Sequence, residues 1–171
     1  MEKNKGIVTM KGSPLTLTGS KIEIGQQAPE FEILNSELSP VKLSAFAGKI
    51  CVISAVPSLD TPVCDIQTRR FNLEAQSIGN DVRILTISMD LPFAQKRWCG
   101  AAGIENLETL SDHRDASFGK AFGVLINELR LLARSIFVID KEGVIRYIEI
   151  VPELTHEPDY EAAINAAKQL M

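Results

Sequence analysis

The residues in this chain best suited to chemistry are its three cysteines, Cys51, Cys64 and Cys99. Cys64 lies in Pro57-Ser58-Leu59-Asp60-Thr61-Pro62-Val63-Cys64-Asp65, where a turn-rich stretch gives way to a helical pattern. Pro62 is favoured at the first helical position, because its missing N–H would be unpaired there in any case. Thr61 is then the natural N-cap, and Cys64 falls in the first turn. Free backbone N–H groups and the positive end of the helix dipole surround that position and favour an anion. Helix N-termini are among the places where a cysteine is held as a reactive thiolate. The alternative is that Cys64 is a small buried apolar residue. Cys51 sits inside the apolar run Ile50–Val56 with no cap and reads as a buried, unreactive thiol. Cys99 follows Cys64 by 35 positions (99 − 64) on the next helical stretch, beside Trp98 and ahead of Gly100.

The elements that must position these sulfurs follow from periodicity and turn signals. The first 20 residues alternate around Lys11-Gly12-Ser13-Pro14, a β-hairpin pattern. Phe31–Leu34 reads as a short strand, and Phe46-Ala47-Gly48-Lys49 as a turn. Ile50–Val56 is nearly all apolar and partly β-branched, the pattern of a strand buried on both faces. A helix from about Pro62 to Ile78 is stopped by Gly79-Asn80. Arg83–Met89 is a second buried strand, and Pro92 opens a helix ending near Gly100–Gly103. A short strand at Leu107–Leu110 and a short helix at Asp115–Phe122, closed by Gly123, come next. Ser135–Asp140 and Val144–Val151 are strands joined through Lys141-Glu142-Gly143. A last helix starts around Pro158-Asp159, with Tyr160, Ala163, Ile164 and Ala167 on one apolar face. Strands alternating with helices, then a terminal hairpin and helix, predict an α/β fold: a mixed central sheet flanked by helices, with an N-terminal β-hairpin. That is a thioredoxin-like arrangement, and Cys64 follows a buried strand at its carboxyl end, where such folds place ligands.

Composition narrows the function classes. The chain has 171 residues, 45% hydrophobic and 23% charged, which predicts one domain over 1–171 with a core that needs no metal or disulfide. Eighteen Lys and Arg against 22 Asp and Glu leave a net charge of -4. A nucleic-acid binder more often carries a basic excess. No run of ~18 apolar residues is present, so no membrane partner is expected. The N-terminus lacks the pattern of a secretory signal. An odd, low cysteine count does not resemble a secreted disulfide scaffold, and the chain reads as cytoplasmic. His113 and His156 lack ligand spacing, and no Cys/His cluster has the spacing of a zinc site. No phosphate-cradling glycine loop appears, so no metal or cofactor is implied. The absence of Cys-x-x-Cys weakens a general disulfide-exchange reading. By default Arg69-Arg70 is a charged helix face, and Phe118/Phe122 at i, i+4 is core.

Pro57-x-x-Asp60-Thr61-Pro62-Val63-Cys64 resembles the reactive loop of peroxiredoxins, whose core pattern is Pro-x-x-x-Thr/Ser-x-x-Cys. Several further segments are similar to the thiol peroxidase subfamily, an atypical two-cysteine peroxiredoxin group. They are Gln67-Thr68-Arg69-Arg70-Phe71-Asn72, Asp90–Gly100, Leu132-Ala133-Arg134-Ser135 and Glu157-Pro158-Asp159-Tyr160-Glu161. The likeness runs over nearly the whole chain. It implies that Cys64 attacks a hydroperoxide as thiolate and becomes sulfenic acid. Thr61 would donate to the thiolate or orient the peroxide, Pro57 would shape and shield the loop, and Arg134 would match the family's active-site arginine. Cys99 would resolve the sulfenic acid as an intramolecular disulfide, which thioredoxin would reduce. The resemblance also implies a homodimer. From the residues alone, Arg134 would be a surface strand-edge charge and Cys99 a packing residue. A disulfide needs Cα atoms about 4.4–6.8 Å apart. Two cysteines on separate helices need not meet that limit when reduced, so local unwinding around Cys64, Cys99 or both is expected.

The leading reading is therefore a cysteine-based hydroperoxide reductase acting on hydrogen peroxide and organic hydroperoxides. The alternative is a thioredoxin-fold redox sensor or chaperone that signals through oxidation of Cys64. A third is a binding module with inert cysteines.

Overall fold

The computed structural model describes residues 1–171. In chain order the strands are β1 (Glu2–Met10), β2 (Ser13–Gly19), β3 (Glu32–Leu34), β4 (Pro40–Lys42), β5 (Ile50–Ala55) and β6 (Val82–Ser88). They continue as β7 (Glu108–Ser111), β8 (Leu125–Ile126), β9 (Leu131–Leu132), β10 (Ser135–Ile139) and β11 (Ile145–Ile150). The helices are α1 (Pro62–Ile78), α2 (Pro92–Ala102), α3 (Ser117–Ala121) and α4 (Tyr160–Lys168). A 3-10 turn covers Leu43–Phe46, where the sequence reads only as a turn from Phe46.

The main sheet has seven strands in the order β11-β10-β5-β6-β7-β3-β4. β5, β6 and β7 are parallel and the remaining pairs antiparallel, which is the mixed sheet expected. β5 is buried at all six positions, as its unbroken apolar run requires. Its period-two alternation divides the core. Ile50 and Val52 meet Phe71 and Ile78 of α1 and Ala163, Ile164 and Ala167 of α4. Cys51, Ile53 and Ala55 face the opposite side, among Phe31, Phe118, Phe122 and Phe137. Phe118 and Phe122 stack at 4.7 Å and both meet Phe137 edge-on, so this pair is core. α3 is capped from behind by Asp112, whose carboxylate accepts from the N–H groups of Phe118 and Gly119. Burial pushes that carboxyl up to about 6.

A second sheet, β1-β2-β8-β9, docks the hairpin on the aromatic side through Val8, Leu15 and Leu17. The hairpin turns at Lys11 and Gly12, both at positive φ, as a two-residue turn matched to strand twist requires. Its end is locked by backbone contact. A Cβ at Gly19 would fall 2.3 Å from the Lys120 carbonyl, and one at Gly123 would fall 2.3 Å from that of Ser20. β4, β8 and β9 are not foreseen from the sequence. Segments of two or three residues carry no periodicity, and only pairing with their neighbours makes them strands.

Candidate active site

The site is assembled where β5 ends and α1 begins. Val56 extends β5, and its N–H donates to the Ile87 carbonyl of β6. Pro57 is buried, and the chain turns through Ser58–Asp60 into α1. Pro62 occupies the first turn as expected, and Cys64 lies within that turn, fully buried. It packs with Val56, Leu59 and Trp98.

Thr61 stands at the N-cap position but makes no capping bond, contrary to expectation. Its hydroxyl turns back and donates to the Ser58 carbonyl at 2.9 Å, tightening the loop instead. An N-cap side chain accepts from the second or third amide of the helix, and the third here is that of Cys64. The uncapped turn therefore leaves these amides without a side-chain acceptor. Within the helix, the Asp65 N–H donates to the Thr61 carbonyl.

Arg134 sits one residue before β10, which pairs with β5 in a register that sets Ser135 against Ala55. It is not a surface charge but is 2% exposed, the largest fully enclosed side chain of the molecule. Nε and Nη2 donate to the Leu154 carbonyl at 3.0 and 2.7 Å, and Nη1 donates to Gln67 Oε1 at 2.8 Å. A guanidinium has five N–H donors. Three are engaged, which leaves two without a hydrogen-bond partner within the chain. Gln67 in turn donates to Ser54 Oγ of β5 at 2.7 Å. Gln67 and Cys64 are three apart on α1, and such pairs share a helix face. This chain of bonds fixes Arg134 to the helix that carries Cys64.

Cys99 is half-buried in α2, and its Sγ lies 3.6 Å from Thr109 Oγ1 of β7. Burial pushes its thiol up, against a downward pull from that hydroxyl. Its neighbour Trp98, not Cys99, packs against Cys64. The Arg69 guanidinium lies 5.7 Å from the Trp98 ring, and Arg69 also donates to the Ala102 carbonyl at the end of α2. Consecutive helical residues are ~100° apart around the axis. With Trp98 turned to α1, Cys99 is turned to β7. All three cysteines are free thiols.

The redoxin family model matches residues 23–164. The chain belongs to the redoxin family. This redoxin is 57% identical over 164 residues to a thiol peroxidase of Bacillus subtilis (strain 168), covering 96% of this chain and 98% of that relative. It is 53% identical over 163 residues to a thiol peroxidase of Staphylococcus aureus (strain MRSA252), covering 95% and 98%. A crystal structure of a peroxiredoxin-like protein from Aquifex aeolicus superposes with a TM-score of 0.91 at 40% identity, covering all of both chains. At such identity and coverage this redoxin groups with the thiol peroxidases, and its mixed sheet is the thioredoxin-like arrangement expected.

Gln67, Ser54, Trp98 and the Leu154 carbonyl are given no site role by the sequence, although the candidate site is built from them. Gln67 left one signal: an uncharged polar residue one turn beyond Cys64. The Leu154 carbonyl left none, since backbone groups are the same everywhere in a sequence. His113 and His156 are not among the partners of Cys64 or Arg134, and no cluster of three or more His, Cys, Asp or Glu is arranged to hold a metal. No helix is long and apolar enough to cross a membrane.

Proposed function

We propose that this chain reduces hydrogen peroxide and organic hydroperoxides through Cys64, with Cys99 and thioredoxin completing the cycle. The reading rests above all on Arg134, buried with two N–H donors unspent and tied to the helix that carries Cys64. The Cys64 thiolate attacks the terminal peroxide oxygen. An S–O bond forms, the O–O bond breaks, and the electron pair leaves on the second oxygen. A proton taken up there gives water or an alcohol. Donors aimed at the oxygen where charge develops lower the barrier, which is the role of Arg134. The Thr61 hydroxyl has given its one hydrogen to Ser58, so it orients the peroxide by accepting from the peroxide O–H. Pro57 closes the loop over the sulfur.

The sulfenic acid is then attacked by Cys99. The S–S bond forms, and hydroxide leaves with the thiol proton as water. Cys99 faces Thr109 and Trp98 occupies the contact with Cys64. The disulfide therefore requires α2, the loop, or both to unwind. A dithiol reductant of the thioredoxin type then returns both thiols. Free cysteines and a recycled disulfide suit the cytoplasm. A homodimer completes the reading, and Ile66 and Phe93 are exposed apolar side chains available to such a contact.

Mass spectrometry after one equivalent of peroxide tests the cycle, with Cys64 and Cys99 linked within one chain as the expected product. Cys99→Ser should consume one equivalent, accumulate sulfenic acid at Cys64 and stall with thioredoxin. Normal thioredoxin-driven turnover by that variant would refute intramolecular resolution. Failure of peroxide to oxidise Cys64 would refute the whole reading. Light scattering in solution gives the oligomeric state, and a monomer would remove the dimer.

A further inference from the structure

Asp90 lies between β6 and α2, outside the residues used above. Its carboxylate gathers both cysteine-bearing segments. Oδ1 accepts from the Ser58 hydroxyl at 2.7 Å, and Oδ2 accepts from the Leu59 N–H at 2.8 Å. Oδ2 also accepts from the Ser88 hydroxyl at 2.8 Å. Ser88 Oγ in turn accepts from Gln95 Nε2 at 2.9 Å, and that amide also donates to the Leu110 carbonyl. Gln95 is buried in α2, one turn before Cys99. The Ser111 hydroxyl of β7 donates to the Asp90 backbone carbonyl. Ser58 Oγ also accepts from the Asp60 N–H, so the turn is held from inside as well.

One carboxylate thus ties the loop that leads to Cys64, by way of the Ser88 hydroxyl, to Gln95 in the first turns of the helix that carries Cys99. Bonds to a charged acceptor are stronger than neutral ones, and both loop donors end on the same group. We infer that Asp90 is a positioning residue that latches the Cys64 loop in the shape used for peroxide attack, and that release of Ser58 and Leu59 from it opens the loop for disulfide formation with Cys99. The inference rests on the proposed peroxidase cycle and adds a prediction that cycle does not contain. Loosening this contact should slow the first step and speed the second.

The test is single-turnover stopped-flow of the full chain with hydrogen peroxide, followed by the fluorescence of Trp98, the one tryptophan and a neighbour of Cys64. Asp90→Asn keeps the shape but removes one acceptor. It should slow oxidation of Cys64 about tenfold and speed disulfide formation several-fold, the equivalent of about one charge-assisted bond. It should also lower the fraction of Cys64 converted to sulfinic acid under excess peroxide, because a sulfenic acid resolved sooner is exposed for less time. Ser58→Ala removes one latch bond, together with the longer bond from the Asp60 N–H inside the turn, and should shift both rates the same ways by less, which keeps the inference open to refutation should Asp90→Asn fail to fold. Ser111→Ala touches the backbone carbonyl and should leave the ratio of the two rates unchanged. Equal slowing of both steps in Asp90→Asn and Ser58→Ala, or wild-type rates in both, would overturn the latch. A wild-type chain that forms no Cys64–Cys99 disulfide would instead overturn the cycle beneath it.

Discussion

The strand β5 has a cysteine at its amino end and leads to another just past its carboxyl end, and both are shut away from solvent. Cys51 is 2% exposed and Cys64 is 0%. Their surroundings differ. Cys51 sits on the aromatic face of the sheet and lines a cavity of about 230 Å³ with Phe46, Leu43 and Ile139. Burial pushes its thiol up to about 11, with only Arg83 pulling the other way. Cys64 stands in the uncapped first turn of a helix, one turn from a glutamine that anchors a buried guanidinium. Burial by itself therefore does not mark a reactive sulfur. What matters is whether donors are buried with it, because donors enclosed away from water act on a developing charge with less competition from solvent.

Exchanging the cysteines' fates is the most forceful way to break this contrast. Cys64→Ser should lose more than ~10³-fold in peroxide turnover, as expected when a nucleophile is removed. Cys51→Ala should stay within about twofold of wild type. Comparable losses in the two variants, measured by peroxide consumption with thioredoxin and its reductase, would erase the distinction.

Next comes the donor set. Arg134→Lys keeps the charge but loses the planar fork that spans Leu154 and Gln67. It should cost about 10²-fold in kcat/KM for peroxide. Gln67→Leu leaves the guanidinium in place but frees it to wander, and should cost roughly tenfold. An effect on thermal stability with unchanged kcat/KM would make Arg134 a structural charge only.

The smallest effect sharpens the inert end. The folded chain holds the Cys51 proton up to about 11, against about 8.5 for a free cysteine. The stability this contributes is complete below ~8.5 and is lost as pH rises through 11, because the unfolded chain gives up its proton first. Denaturant midpoints should fall along that alkaline limb by the equivalent of ~3.5 kcal/mol at most, and Cys51→Ala should fall less. Identical limbs would show that Cys51 does not feel its burial.

The sequence is most legible where one segment decides its own structure. The helix at Pro62–Ile78 begins and ends as its proline, apolar spacing and Gly79 predict, and so does the buried strand at Ile50. Cys64 could be singled out from these two alone. Thr61 shows the limit. Its type and place both said cap, yet its hydroxyl donates to the Ser58 carbonyl three residues back, in the loop whose Ser58 hydroxyl is bonded to Asp90.

Sequence by itself determined the fold class, the place of Cys64 at a helix start and the family, because each is written in local spacing and in residue types in order. Only the tertiary structure decided what Arg134 is. It carries the same side chain as any of the surface arginines, and in the chain only the family-like segment Leu132-Ala133-Arg134-Ser135 sets it apart, without saying what holds it. Its character comes from Leu154 and Gln67, 20 residues ahead and 67 behind, which meet it across the sheet. The same holds for Cys99. Its helix is readable, but the direction of its sulfur, toward Thr109 and away from Cys64, depends on Trp98 filling the space against α1. Contacts between distant segments are settled by packing, and packing leaves no period in the chain.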